Sequence, residues 1–288
     1  MSRLARLSLI LLFAMPFAAA EDNPTYRLRY QLRPGERLEY EVTHVAKTET
    51  RIRGAEEVSR VHTKSRRHWE IDSVDDEGQI VFHHGLDSVE LTQQAGEAEE
   101  VRWSSDSGQD PPALFRVVAE QIGGRLATVT IDERGQEIRR ELHAGSPSDL
   151  GMGSLSIELP EEAIPVGHSW SIPAETKVRT ENNEVKTIKI RQLFSLDRVK
   201  TGVATLSVRS EALTPIREES VRAQVIQQLS NGTIRFDIDN GRMLSKQLDW
   251  DENVVGFQGP NSLMEYHARF TERLVDDSQR VATRNSDR

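Results

Sequence analysis

Apolar and polar side chains alternate at every second position over much of this chain, which restricts it to sheet. Tyr26, Leu28, Tyr30 and Leu32 alternate with Arg27, Arg29 and Gln31. Leu38, Tyr40 and Val42 follow a Pro34-Gly35 turn. Further runs are Ile188, Ile190, Phe194 and Leu196, then Ile234, Phe236 and Ile238, then Met264, Tyr266, Ala268 and Phe270. Successive side chains of a strand point to opposite faces, so each run is one buried face backed by a wet one. That pattern belongs to antiparallel sheet. Asp75-Asp76-Glu77-Gly78, Asp132-Glu133-Arg134-Gly135 and Asp239-Asn240-Gly241 lie between such runs, where hairpin loops are expected. Asn231-Gly232-Thr233 matches a glycosylation acceptor but reads better as one more tight turn. Gly54 to Ser65 and Gly96 to Gln109 are polar and read as long hairpin tips.

One short helix is expected at about 111–122. Asp110 can cap it, Pro111 or Pro112 suits its first turn, and Leu114, Val117, Val118 and Ile122 give it an apolar face. Gly123-Gly124 ends it. Pro215 to Leu229 fits either a helix, through Val221, Val225, Ile226 and Leu229, or a strand, through Val221, Ala223 and Val225. The alternation leans to strand. The chain also matches itself. Leu32–Leu38 resembles Ile164–Trp170, Trp69–Asp75 resembles Phe194–Asp197, and Thr130–Asp132 before Gly135 resembles Asp237–Asp239 before Gly241. The expected architecture is therefore mainly β, with two related antiparallel meanders at 21–145 and 155–275. They form a curved sheet or two packed sheets, with the helix over part of a concave face. A Gly/Ser/Pro-rich linker is expected at 146–154 and a disordered tail at 276–288.

The N-terminal twenty residues read as a cleavable signal peptide. Arg3 and Arg6 are followed by an apolar stretch from Leu7 to Phe17 and by Ala18-Ala19-Ala20. That stretch is too short to span a bilayer. The expected location is thus periplasmic or extracellular, with no transmembrane segment in the mature chain. With no Cys there is neither lipid attachment nor a disulfide, so the core alone holds the fold. A formal charge of −9 argues against a nucleic-acid partner, which needs clustered basic charge.

Catalytic and metal-binding patterns are sparse. There is no Gly-x-Ser-x-Gly elbow; Gly151-Met152-Gly153-Ser154-Leu155 lacks the spacing. Among the eight His no two stand at His-x-His or His-x-x-x-His spacing, and His83 and His84 of one strand point to opposite faces. Asp237-Ile238-Asp239-Asn240-Gly241 has its Gly one position early for a calcium loop. The carboxylate doublets Glu161-Glu162, Asp75-Asp76 and Asp276-Asp277 fall in expected loops. No catalytic residue, metal or cofactor is expected, and an enzyme is disfavoured. Of the four Trp, Trp170 and Trp250 read as core, whereas Trp103 lies in a polar stretch and is the weak candidate for ligand contact.

The order of elements resembles an uncharacterised family of exported bacterial β-rich proteins. The matching pieces are Leu159-Pro160, Gly167-His168-Ser169-Trp170, and Phe236-Asp237 followed by Gly241-Arg242. That resemblance implies a β-rich exported domain and brings no catalytic residues. A looser likeness at the level of fold is to periplasmic lipoprotein carriers, which implies a curved sheet holding lipid on its concave side. The leading expectation is a non-enzymatic binding or carrier protein with an apolar ligand such as a lipid. The alternatives are an envelope interaction or structural module with a protein partner, and a polysaccharide-active enzyme of unrecognised type.

Overall fold

The computed structural model describes residues 23–143 and 155–275. The expected signal peptide, linker and tail lie outside the described residues. Fourteen strands are present among the described residues. They are β1 (Thr25–Tyr26), β2 (Arg37–Ile52), β3 (Ala55–Val74), β4 (Ile80–Ala95), β5 (Val101–Ser104), β6 (Arg125–Ile131), β7 (Glu137–Leu142), β8 (Ile164–Pro165), β9 (Ser169–Arg179), β10 (Val185–Lys200), β11 (Val203–Ala212), β12 (Asn231–Asp237), β13 (Arg242–Val255) and β14 (Ser262–Leu274). Twelve of them form one curved antiparallel sheet in the order β7-β6-β4-β3-β2-β14-β13-β12-β11-β10-β9, with β5 beside β4. The two runs of strands join in the middle, where β14 pairs with β2 over thirteen positions from Ser262↔Ile52 to Leu274↔Tyr40.

The sheet bends around two extended segments that belong to no long strand. Residues 27–32 keep the expected alternation, yet only Thr25–Tyr26 pairs, with Ile164–Pro165. The backbone beyond finds its partners in turns instead of a ladder. The Tyr30 N–H donates to the Glu133 carbonyl (2.7 Å) and the Gln31 N–H to the Gly241 carbonyl (3.0 Å). Leu28, Tyr30 and Leu32 join Leu155, Ile157 and Leu159 of the second segment in the main core. The Tyr30 ring lies 6.4 Å from Trp69 of β3 and 5.3 Å from Phe236 of β12. Four strand spacings separate β3 from β12, about 19 Å in a flat sheet. Both rings reaching one tyrosine shortens that span to under two thirds.

Arg29 clips the two segments together. It sits on the side expected to be wet but is buried. Its guanidinium donates to the carbonyls of Pro160 (2.7 Å) and Glu161 and pairs with Glu133 at 2.7 Å. The second segment also takes hold of both ends of the sheet. Arg134 of the β6–β7 turn bonds the Leu159 carbonyl (3.1 Å) and Glu158 (3.3 Å), while Trp170 of β9 donates to the Glu158 carbonyl (3.0 Å). The turns before β2 and β9 close alike. Gly35 donates to Ile71 and Ile71 to Glu36 (2.8 and 2.9 Å); Gly167 donates to Leu196 and Leu196 to His168 (2.7 and 2.9 Å).

Four local expectations are corrected. The segment at 213–230 forms a helix, α2 (Glu219–Val225), followed by one 3₁₀ turn. The strands on either side of it, β11 and β12, already pair with each other, so a strand there would have no edge to join. As a helix it buries Val221 and Val225 on Val178, Ile188 and Ile190. The helix expected at about 111–122 is shorter, a 3₁₀ turn at Ala113–Phe115 running into α1 (Arg116–Ala119). Its buried side is Phe115 with Val118 and Ile122, while Leu114 and Val117 face solvent. So short a segment is held by packing, and the Gly123 N–H bond to Leu86 (2.8 Å) draws it onto the sheet. Asn231-Gly232 is strand rather than turn. A Cβ on Gly232 would stand 2.0 Å from the Gln247 carbonyl oxygen, so the glycine admits β13. Residues 55–65 are strand too, because the β2–β3 hairpin turns on only Arg53 and Gly54, both at positive φ.

Gly135 is where the β6–β7 turn meets the core segments. It holds φ at 82°, and a Cβ would fall 2.4 Å from both the Ile157 carbonyl oxygen and the Tyr30 ring. Gly135→Ala should therefore destabilise by about 2–4 kcal/mol, combining left-handed backbone strain with overpacking. Tyr30→Phe should cost less, about 1–3 kcal/mol, because it strands the buried Ile157 N–H that now donates to the tyrosine hydroxyl (3.1 Å). Urea denaturation of both variants checks this order. A Gly135→Ala chain as stable as the parent would contradict it.

Candidate functional site

Inner positions of the central strands can be followed upward from the core through the register. On β2 they run Tyr40, Val42, His44, Ala46 and Thr48; on β3, opposite them, Arg67, Ser65, Thr63, Val61 and Ser59. On β14 they run Glu272, Phe270, Ala268 and Tyr266, and on β13 Lys246, Leu248, Trp250 and Glu252. In the lowest of these rows Tyr40 is fully buried, whereas Arg67 opposite it is only partly so. From Arg67 upward the apolar alternation is broken by charge.

Lys246 and Glu272 face each other across β13 and β14 with Nζ and Oε2 2.8 Å apart, and both are buried. The ammonium also lies 5.3 Å from the Phe270 ring centroid. Arg67 adds a second cation. Its Nε donates to Ser65 Oγ at 3.1 Å, and among the described residues it forms no ion pair. Burial lowers the Arg67 pKa while the negative charge of Glu272 opposes that effect. Burial, and then Arg67, hold His44 below the ordinary histidine value. Burial raises the Tyr40 phenol well above its usual value, with Glu272 adding to the rise. Arg67, Glu272, Lys246 and His44 thus form one electrostatically coupled belt at the base of the upper inner face.

Two apolar walls stand above that belt. On one side Ile226, Val254, Phe257, Tyr266 and Ala268 pack with Trp250, Met264 and Ala223 of α2. On the other, Val89 and Leu91 of β4 pack with Phe115, Val118 and the Trp103 ring. Between the walls Ala46, Thr48, Val61 and Thr63 are partly exposed. Trp103 pairs with Leu91 on the inner face, is half-buried, and donates from Nε1 to the Gln109 carbonyl at 3.0 Å. Trp250 donates to the Gln227 carbonyl at 3.0 Å from the opposite wall. Trp170 stacks on Phe194 with centroids 5.4 Å apart, within the core.

The remaining titratable groups are dispersed. His83 and His84 do point to opposite faces. His83 meets Thr128 Oγ1 (3.1 Å) on the outer side, and His84 is buried inside against Trp69 and Ala127. On the outer face Asp87 accepts from Arg37 (2.9 Å) and contacts His68 Nδ1 (2.9 Å), whose ring takes the space a side chain on Gly85 would need. Burial alone would raise the Asp87 carboxyl, but those two partners hold it below the usual carboxylate value. The doublets Glu161-Glu162 and Asp75-Asp76 sit in separate loops, with Asp75 Oδ1 occupied by the Glu77 and Gln79 amides. Among the described residues no group of three or more His, Asp or Glu is placed to hold a metal ion. No helix in them is long and apolar enough to cross a membrane. Two grooves open on the outer face. One of about 460 Å³ lies over Val45, Lys47 and His62, and one of about 810 Å³ lies at the foot of the sheet.

No known protein family and no curated protein matches the chain. Among solved structures it is similar to lipovitellin, described under lipid–protein interactions, with a TM-score of 0.48 and 10% identity. The match covers 85% of this chain and 26% of that one, so the chain spans about a quarter of its length.

His84 provides a direct check on the inner face. Burial, then the like charges of Arg67 and His68, push it down to about 3, and its Nδ1 has no hydrogen-bond partner. The folded chain keeps this imidazole neutral where the unfolded chain takes up a proton, below about pH 6.5. Above pH 6.5 the group adds no pH dependence to stability. Between 6.5 and 3 the unfolded state binds the extra proton, and stability falls by up to about 1.4 kcal/mol per pH unit. The difference in unfolding free energy between parent and His84→Leu should therefore change with that slope from pH 6 to pH 4.5. Parallel profiles would show that His84 is not held neutral by burial.

Proposed function

We propose that this protein is an exported, non-enzymatic carrier or binding protein that holds an anionic amphiphile, such as a fatty acid, on its upper inner face. The apolar part of the ligand lies between the Trp103 wall and the Trp250 wall, and its acidic group meets Arg67. One observation carries the reading. A guanidinium sits low in a concave surface with a serine hydroxyl as its hydrogen-bond partner, directly beneath two apolar walls. Burying an arginine without a full set of acceptors is costly, and a carboxylate or phosphate oxygen pair matches its fork. Lys246 and Glu272 neutralise each other, so the charge left for a ligand is that of Arg67. His44 stays neutral beside it and can add a hydrogen bond without adding charge.

Two further parts of the reading follow from the sequence. Residues 1–20 direct the chain out of the cytoplasm and are then removed. The segments around 21–145 and 155–275 are related halves. The matching closures at Gly35–Ile71 and Gly167–Leu196, and a helical excursion after the third long strand of each run, support that relation.

Titration of the purified chain with oleate and with a dibrominated stearate, followed by tryptophan fluorescence and native mass spectrometry, tests the proposal. One molecule should bind per chain, and the brominated acid should quench Trp103 and Trp250. Arg67→Met should weaken fatty-acid binding by about tenfold or more, in line with loss of one charged hydrogen-bonding partner. It should leave a neutral monoacylglycerol unaffected. Failure of both lipids to bind, or equal binding of the acid by parent and variant, would overturn the reading.

A further inference from the structure

The groove of about 810 Å³ lies away from the inner face, where among the described residues β14 ends short of its two neighbours. β14 stops pairing at Leu274, but β13 runs down to Arg242 on one side and β2 to Arg37 on the other. A wedge opens between them, floored by Leu244 and Leu274 and rimmed by Arg37, Arg235, Arg242 and Arg273. In a chain of net charge −9 this is a concentration of positive charge that needs explaining.

Two of the four arginines are matched within the protein. Arg242 meets Glu36 at 2.5 Å, and Arg37 meets Asp87 at 2.9 Å and Glu39 at 3.3 Å. Asp237, the other acid lining the groove, spends its oxygens on its own turn, accepting from the Asn240 amide (2.9 Å) and side chain (2.8 Å). Arg235 and Arg273 have no carboxylate partner among the described residues, and both are exposed. The register puts them in one row. Arg235 of β12 and Arg273 of β14 are the two cross-strand neighbours of Ser245 on β13. All three project from the outer face, with the arginine backbones two strand spacings apart, about 10 Å. Each guanidinium has the length to lean inward over Ser245, so two forks and a hydroxyl can be brought to one point above the middle strand.

We propose that Arg235, Ser245 and Arg273 form a binding site for a phosphate-class anion, independent of the inner-face site. A tetrahedral oxyanion takes one oxygen pair from each guanidinium and a further hydrogen bond from Ser245, and it removes the repulsion between two unpaired cations. Leu244 and Leu274 then lie beside the anion, where an apolar substituent of a phosphate monoester would rest. Nothing covalent is required of the site.

Calorimetric titration of the full chain at low ionic strength with inorganic phosphate tests the proposal. A second arm measures co-sedimentation with vesicles of phosphatidylcholine containing phosphatidic acid. Saturable binding is expected in at least one arm: to phosphate itself if the ligand is a soluble phosphate, or to the vesicles alone if it is a lipid headgroup. Arg235→Gln with Arg273→Gln should weaken that binding by about tenfold or more. Both side chains are exposed, so the double variant should fold, as its circular dichroism and melting temperature will report. Arg67→Met should leave phosphate binding intact, which separates this site from the fatty-acid site. Absence of saturable binding in both arms, or unchanged binding by the double variant, would overturn the proposal.

Discussion

The fold depends on the contact of Tyr30 with two rings that belong to distant strands. Trp69 and Phe236 would be far apart in an open sheet, and one tyrosine touches both. A twelve-stranded antiparallel sheet twists by itself, but nothing in its ladder decides how far it curls. Here the decision is made by the segments around Tyr30 and Ile157, which fill the foot of the concave side. They are joined by Arg29 and bonded to both ends of the sheet through Arg134 and Trp170. Two extended pieces of chain with little secondary structure of their own thus set the shape of all the rest.

Filling the foot leaves the upper inner face with a different problem. The long strands β2, β3, β13 and β14 continue past the core, and their inner side chains must meet solvent, a helix or a ligand. α2 covers one flank and Phe115 with Trp103 the other. At the boundary between filled and open regions lie Arg67, Lys246, Glu272 and His44. Charges in such a place are expensive, and only the lysine and glutamate balance each other directly. The inner face is therefore apolar and buried at the foot, charged at the waist and apolar at its rims, the gradation on which the proposed amphiphile site rests. The outer foot groove is distinct from it in position and in its charges.

Much of this was legible as period-two alternation. The hairpins at Asp75–Gly78, Asp132–Gly135 and Asp239–Gly241, and the strands through Tyr40, Ile190, Phe236 and Tyr266, follow from side-chain parity and turn chemistry alone. Parity failed where backbone partners, not side chains, decide the structure. Residues 27–32 alternate like a strand but bond to turns, 213–230 lacks a free edge and coils into α2, and Gly232 serves strand contact rather than a turn. The belt was also foreshadowed, though it was missed. Lys246 falls in the same parity as Leu244, Leu248 and Trp250; Glu272 continues Met264 to Phe270; His44 continues Leu38 to Val42. A polar residue on an apolar parity was the signal. Trp103, singled out for its polar surroundings, lies on the inner face because β5 pairs with β4, a pairing that four residues of sequence do not announce.

The most direct test of this account is hydrogen exchange on Arg29→Met, read by mass spectrometry across the whole sheet. If the two core segments hold the curvature by gripping both ends, loss of the Arg29 clip should raise exchange together in β6–β7 and in β9. Those elements lie at opposite ends of the strand order and share no ladder. The central strands β2, β3 and β14 should keep their protection. Faster exchange confined to residues next to Arg29, with β9 unchanged, would mean that the sheet curls without the clip, and the central claim would fail.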